Sequence, residues 1–198
     1  MATDADLLDR WGSGDDRAAS ELIDRHTGRL RRFFHTKTDA EVDDLIQQTL
    51  LTCLQARAKI PNAASFRAYM FTVARNVLYN HYRKNRRMRE RFDPLETSFA
   101  DLHASPSQVI YTKEWKSRLM AALRTLPVDL QVALELRFWE QLSGPELAEV
   151  LDVPEGTVRS RLRRGMTLLR AALGGQEISE SDFEASSPDF ERWARQDS

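Results

Sequence analysis

Between Pro154 and Arg164 the chain reads PEGTVRSRLRR, which sets Glu155, Gly156, Thr157, Arg159, Ser160, Arg161, Arg163 and Arg164 on the opening turns of a helix. Guanidinium groups are forked donors that match guanine edges and phosphates, and hydroxyl groups donate or accept at either. The chemistry on offer is hydrogen bonding to nucleic acid, with no covalent step. A helical hairpin with a solvated cationic face is the plainer reading. Against it, a capping pair and a tight turn stand immediately upstream. A second cluster lies in Phe66 to Arg91, FRAYMFTVARNVLYNHYRKNRRMRER, where eleven of the side chains are Lys, Arg or Asn and Glu90 is the one acid. Cations interleaved with Tyr, Asn and His suit phosphates and unstacked bases together. Core aromatics followed by a solubilising Arg run is the alternative there. That alternative suits Phe66, Val73 and Val77 best, whereas Tyr82, Arg83 and Lys84 favour nucleic acid. Arg86, Arg87, Arg89 and Arg91 fit backbone contacts that carry no sequence information.

The elements that must carry these groups are helical throughout, and the fold class expected is all-α. Leu7, Leu8 and Trp11 mark a short first helix, stopped at Gly12-Ser13-Gly14. Asp15 or Asp16 caps a second helix running to about His35. A third, about Asp39 to Ala58, carries the apolar stripe Val42, Leu45, Ile46, Thr49, Leu50, Cys53 and Leu54, with Asp39 as its expected N-cap. Its other face, Asp43, Asp44, Gln47, Gln48 and Thr52, is either solvated or a docking surface for a basic partner. Pro61 breaks the chain, Ser65 is placed to cap the basic helix, and Phe66, Tyr69, Val73, Val77 and His81 share one of its faces. The segment 92–107, with Pro94, Pro106 and several acids, reads as an exposed linker. Beyond it a helix is expected at 108–124, another at 128–140 after Leu126-Pro127, and a short one opened by Ser143-Gly144-Pro145-Glu146. The Ser–Glu spacing there is a capping box, with Pro in the first turn. Asp152-Val153-Pro154 is the turn into the last helix, which ends at Gly174-Gly175. A short helix, a tight turn and an Arg-faced helix have the spacing of a helix-turn-helix.

Charge distribution supports the same reading. The net charge of −1 over 198 residues conceals an excess of nine positive charges in 57–91, five in 156–173, and seven acids against two Arg in 174–198. Enzyme classes fare poorly. His26, His35, His81 and His103 are scattered, and metal-ligand spacings, Gly-rich phosphate loops and Ser elbows do not occur, so no catalytic residue, metal or cofactor is expected. The single Cys53 excludes an internal disulfide framework and fits a core thiol in a reducing compartment. No stretch approaches the roughly 20 apolar residues that span a bilayer, and the N-terminus lacks signal-peptide order, so a cytoplasmic protein without membrane insertion is expected.

Taken in order, VDDLIQQTLLTCLQ, FRAYMFTVARNVLYNHYRKNRR and LP…LSGPELAEVLDVPEGTVRSRLRR resemble the small extracytoplasmic-function class of bacterial RNA polymerase sigma factors, over about residues 5–173. The resemblance implies two helical domains: region 2 in 1–91, for polymerase docking and the −10 element, and region 4 in 108–173, for the −35 element. The flexible linker 92–107 would join them, and an acidic extension, 174–198, would follow. It implies that Asp43, Asp44, Leu45, Gln47, Gln48 and Leu51 dock on the coiled coil of the largest polymerase subunit, and that region 4 meets the flap. The Pro61–Ser65 loop (Asn62, Ser65) and the helix start (Phe66, Arg67, Tyr69) would capture a flipped −10 base. Arg75, Asn76, Asn80, Tyr82, Arg83 and Lys84 would grip melted and upstream DNA, and Gly156 to Arg164, opened by Glu155, would read the −35 element. An anti-sigma protein is a further partner the family implies.

Two features depart from the pattern. Gln48 stands where Glu is common, which removes one docking charge. The tail after Leu173 is longer than a minimal member needs, and two readings suit it: it folds back on a basic surface and restrains DNA binding, or it is a disordered solubiliser. Rivals to the whole reading are a two-domain helix-turn-helix regulator that acts without polymerase, and an interaction protein whose basic helix meets an acidic partner.

Overall fold

The computed structural model describes residues 2–38, 41–56, 63–84, 92–102 and 115–175, together with Ile178 and Phe183. Among these the chain is helical, apart from an isolated bridge between Ser98 and Pro127. In order the helices are α1 (Asp4–Gly12), α2 (Asp16–His35), α3 (Val42–Gln55), α4 (Ala63–Lys84), α5 (Phe99–Leu102), α6 (Trp115–Arg124), α7 (Val128–Phe138), α8 (Gly144–Leu151) and α9 (Glu155–Ala172).

Local chemistry sets most of the ends. Thr3 caps α1, and the Asp6 carboxylate accepts from the Thr3 amide in return. Asp15 caps α2 by accepting from the amides of Arg17 and Ala18 at 3.0 and 3.2 Å. The third helix departs from expectation. It starts at Val42 behind Glu41, which sits in the left-handed region (φ 60°) and makes no side-chain cap, while Asp39 falls outside the described residues. Asp43 and Asp44 still lie at the helix's positive end. The basic helix begins at Ala63, ahead of the cap expected at Ser65, and its expected last stretch, 85–91, falls outside the described residues. The Ser143–Glu146 capping box forms as read, and Gly174 and Gly175 end α9 with φ of 74° and 81°.

Helices α1 to α4 form one bundle and α6 to α9 a second, and the two are packed together. One contiguous apolar core joins Leu22, Phe34, Ile46 and Phe71 of the first to Val132, Leu136, Leu147 and Val150 of the second. A satellite cluster on the far side of α7 holds Leu119, Leu123, Leu134, Phe138, Trp139 and Leu169, with Ile178 and Phe183 of the tail seated in it. Trp139 Nε1 donates to the Phe183 carbonyl at 3.0 Å. Phe190 and Trp193, and every acid of the tail, lie outside the described residues.

Helix α7 is the axis of the second bundle. Ten of its eleven residues are buried and Arg137 alone is exposed, so it has no solvent face. Gly165 lets α9 lie directly on it, because a Cβ there would stand 3.1 Å from the Leu134 side chain. The segment 92–102 corrects the reading of 92–107 as exposed. Phe92 packs on the rings of Tyr79 and Tyr82, Val128 N donates to the Thr97 carbonyl at 2.9 Å, and Phe99 is buried under the Arg124 guanidinium. Two aromatic residues inside a polar stretch supply the apolar area that pins it. Residues 103–107 lie outside the described ones.

Candidate nucleic-acid interface

Three surfaces were read from the residues, and the structure sorts each into exposed and buried members. On α9, Glu155, Gly156, Arg159, Ser160, Arg163 and Arg164 are exposed, and Thr157 is half-buried. Val158 and Leu169 hold the inner face. The helix is aimed by the turn before it: Asp152 takes the left-handed conformation (φ 54°) that ends α8, and Pro154 starts α9. Arg159 reaches back to Glu155 at 2.9 Å, an exposed pair too weak to hold the guanidinium against a competing base. Arg161 behaves differently. Its side chain is largely covered and pairs with Asp129 of α7.

On α4, Asn76, Asn80, Arg83 and Lys84 are exposed and form a continuous stripe at i, i+4, i+7 and i+8. Arg67 and Tyr69 are half-buried, and Arg67 lies 3.6 Å from Glu146 of α8. Two rings that the resemblance assigns to DNA are buried, and for Tyr82 this also corrects the reading of the residues. Tyr82 is 2% exposed, with its hydroxyl donating to the Lys37 carbonyl, and Phe66 is 2% exposed, edge-on to His26. Phe66 is covered from α2, and Tyr82 by Phe92 and the turn at Lys37. Asn62 and the side chain of Ser65 lie outside the described residues.

On α3, Asp43, Asp44, Gln47, Gln48 and Leu51 are exposed, and Leu51 at 50% is the most exposed large apolar side chain described. Leu45, at 4% exposure, lies in the core stripe its spacing predicts, so it is the one docking residue implied by the resemblance that is not at the surface. Cys53 lies in the same stripe, and burial pushes its thiol up to about 12. It is therefore expected to react with a maleimide at pH 8 far more slowly than after unfolding in urea. Equal rates in the two conditions, followed by thiol titration, would place it at the surface.

The residues that sequence reasoning missed lie between the bundles. Lys37, fully buried, donates to Phe33 O (2.9 Å) and Thr36 Oγ1 (2.8 Å) and pairs with Glu135 of α7. Burial pushes its ammonium down, and Glu135 opposes that. Arg29 and Arg32 of α2 both meet the buried Glu140, Arg29 at 2.8 Å. Gln131 Nε2 donates to Thr36 O at 3.2 Å, and Arg124 to His35 O at 2.9 Å. The first bundle contributes the cations and the second the acids. The signal was present in VDLQVALELRFWE: a helix apolar on nearly every side has nowhere dry to put Asp129 and Glu135 without cations from another element.

No helix among the described residues is long and apolar enough to cross a membrane. Two family models match the chain: Sigma-70 region 2 over residues 22–88, which runs from α2 through α4, and Sigma-70 region 4 over 116–169, from α6 into α9. The chain is 29% identical over 182 residues to the RNA polymerase sigma-H factor of Pseudomonas aeruginosa, spanning 86% of this chain and 93% of that one. It is 26% identical over 180 residues to the ECF RNA polymerase sigma-E factor of Haemophilus influenzae, spanning 84% and 93%. Among solved structures, it resembles CnrH in complex with the cytosolic domain of CnrY at a TM-score of 0.61, with 24% identity over 88% of this chain and 99% of that one. It resembles the sigma factor RpoE of Bartonella quintana, in complex with the anti-sigma factor NepR, at 0.62, with 22% identity over 80% and 98%. Those two likenesses bear on the fold, and they agree with the all-helical two-bundle arrangement described above. With a region 2 bundle, a region 4 helix-turn-helix and relatives matched over nearly their whole length, the chain belongs to the extracytoplasmic-function class of bacterial RNA polymerase sigma factors.

Proposed function

We propose that this chain is an alternative sigma factor that joins core RNA polymerase, recognises paired −35 and −10 elements, and starts transcription at a dedicated set of promoters. The observation that carries the reading is the separation of its exposed chemistry: an acid-led face on α3, a cation and amide stripe on α4, and an Arg-bearing face on α9. A lone helix-turn-helix in a monomer reads only a few base pairs, and regulators of that kind usually pair half-sites through a dimer. Here a second reading surface replaces the second half-site, and the α3 face docks the whole on polymerase.

Each surface then has a role. Asp43, Asp44, Gln47, Gln48 and Leu51 meet the coiled coil of the largest subunit, Leu51 supplying apolar area and the aspartates charge complementarity to a basic partner. Region 4 meets the flap. Asn76, Asn80, Arg83 and Lys84 track the backbone of melted DNA. The loop with Asn62 and Ser65, with Arg67 and Tyr69 beside it, receives an unstacked base; extruding one costs a few kcal/mol, least where the duplex is already opening. Glu155, Thr157, Arg159, Ser160 and Arg163 face the major groove of the −35 element, and Arg164 reaches its phosphates. The chain works in the cytoplasm, by binding and with no catalytic step of its own. An anti-sigma protein is the partner that would hold it in reserve.

Replacing Arg159 or Arg163 with Ala is expected to cost about 1–3 kcal/mol of promoter affinity and to relax selection at one −35 position. Arg83→Ala or Lys84→Ala should weaken all sequences alike and lower the slope of log K against log salt by roughly one. Competition binding of the holoenzyme to a promoter library checks both. The reading as a whole is tested by adding the protein to core polymerase with genomic DNA and mapping transcript starts. New starts that share upstream motifs support it, and their absence leaves a polymerase-independent regulator ahead.

A further inference from the structure

Helix α9 carries its exposed cations in its first half, and that half is held from the front. Val158 is buried in the main core, Gly165 rests on Leu134, and Arg161 reaches the buried Asp129 carboxylate, which also takes Arg75 and Tyr79 of α4. The second half has a different support. Leu169 and Leu173 lie in the satellite cluster with Leu119 and Leu123 of α6, and the tail closes that cluster. Phe183 is 0% exposed, its ring centroid stands 5.1 Å from that of Phe138 and 5.4 Å from that of Trp139, and its carbonyl accepts from the Trp139 indole N–H. Ile178, also buried, joins the same cluster beyond the Gly174-Gly175 turn. The seven acids of 174–198 suit a brake on a basic surface or a solubiliser. Neither role needs a ring and a branched aliphatic side chain taken wholly out of water.

We infer that Phe183 and Ile178 are positioning residues for the −35 contact: they wedge the rear of α9 against α6 and α7, and so fix the angle at which its front enters the major groove. This rests on the reading of α9 as the recognition helix. The lever is sensitive. By the rise of an α-helix, Arg159 stands about 9 Å along the axis from Gly165 and Leu169 about 6 Å to the other side, so a tilt of about 10° at Gly165 moves Arg159 by roughly 1.5 Å. A preorganised binding geometry tolerates only about 0.5 Å. Without Phe183, the pocket around Leu169 and Trp139 loses one wall, and the close packing that holds the angle goes with it. Neither tail residue touches DNA, and neither carries charge. The tail therefore supports promoter reading, by packing and not by electrostatics, and its effect is independent of salt.

The test compares holoenzymes made with the unsubstituted chain, Phe183→Ala, Phe183→Leu, and chains ending at Gly175 or at Ala185. Each is bound to a promoter duplex and to the same duplex with its −35 element scrambled, and the ratio of the two affinities is read. Phe183→Ala and the chain ending at Gly175 should lose about tenfold in that ratio, the worth of one good base contact, while affinity for the scrambled duplex and its salt slope stay as they were. Phe183→Leu, which refills most of the pocket, should lose less. The chain ending at Ala185 keeps both anchors and should match the full chain. Hydrogen exchange of the free chains over 166–173 reports the seat without DNA, and it should quicken only where Phe183 is lost or replaced. An unchanged ratio in Phe183→Ala overturns the inference. So does tighter binding of both duplexes by the chain ending at Gly175, which would mark the tail as a brake, or a fallen ratio in the chain ending at Ala185. Should Phe183→Ala unfold region 4, as far-ultraviolet circular dichroism would show, Phe183→Leu decides: a full ratio there reduces Phe183 to a fold-holding role and ends the inference. An unsubstituted holoenzyme with no −35 preference contradicts the proposed function instead. The seat is then judged on exchange alone, and unchanged protection in Phe183→Ala counts against it.

Discussion

Exchanging Asp43 and Asp44 for lysine is expected to abolish polymerase-dependent transcription while leaving the fold in place. Both carboxylates are exposed at the start of α3, and the only ion pair described for either is Asp43 with Arg31 at 2.9 Å, on an aspartate 78% exposed. Such a pair is worth roughly 0–1 kcal/mol, and each acid gains about 0.3–1 kcal/mol more from the helix dipole. The double reversal should therefore lower stability by no more than a few kcal/mol, read as a modest fall in the thermal midpoint. At the docking surface the same change sets like charges against a basic partner, which costs several kcal/mol, about a hundredfold or more in affinity. Co-sedimentation with core polymerase measures that loss, and circular dichroism confirms the helices. Full binding by the reversed variant would remove α3 from the docking surface.

The second large effect concerns Glu135. Replacing it with Leu leaves the Lys37 ammonium in a site with 0% exposure, with Thr36, the Phe33 carbonyl and the Phe33 ring as its remaining contacts. Removing one partner of a buried pair typically costs about 3–5 kcal/mol, because the survivor keeps its desolvation penalty. Pairing Glu135→Leu with Lys37→Met should recover most of the loss, because two apolar groups of similar volume need no compensation. Urea unfolding of the two single variants and the double variant gives the coupling directly. Additive effects across that cycle would mean that the pair is not a unit.

The helices themselves were legible because their ends obey local chemistry. Asp15 at one N-cap, the Ser143–Glu146 box at another, and Gly174-Gly175 at the last C-terminus all do what their types dictate. The exposed stripe of α4 and the outer face of α9 were legible for a related reason: clustered cations are rarely placed where they must be dehydrated. What escaped was the part that depends on two distant segments meeting. Periodicity assigns one buried face to an amphipathic helix, but α4 is covered on two sides. Tyr82, off the face that the spacing marks, therefore lies in a core, and Arg75 lies in a seam, whereas Phe66 is buried on the face expected for it. Leu45 carried two readings, core by its spacing and docking by the resemblance, and the core reading holds. It falls inside a run of docking residues in sequence, yet one turn geometry puts it with Val42 and Thr49 against the bundle. Arg161 shows the limit most clearly. Nothing in SRLRR distinguishes it from Arg159 or Arg163; only the position of Asp129, 32 residues away along the chain, turns it inward.

The proposed function requires that sequence-specific promoter recognition belong to the protein joined to polymerase, and footprinting on one mapped promoter at fixed salt tests this most directly. The free chain and the chain with core polymerase are compared on the same duplex. The holoenzyme should protect both the −35 and −10 elements and leave thymines near the start reactive to permanganate, while the free chain protects no defined site. An identical two-element footprint from the chain alone, with no unpaired thymines in either sample, would contradict it.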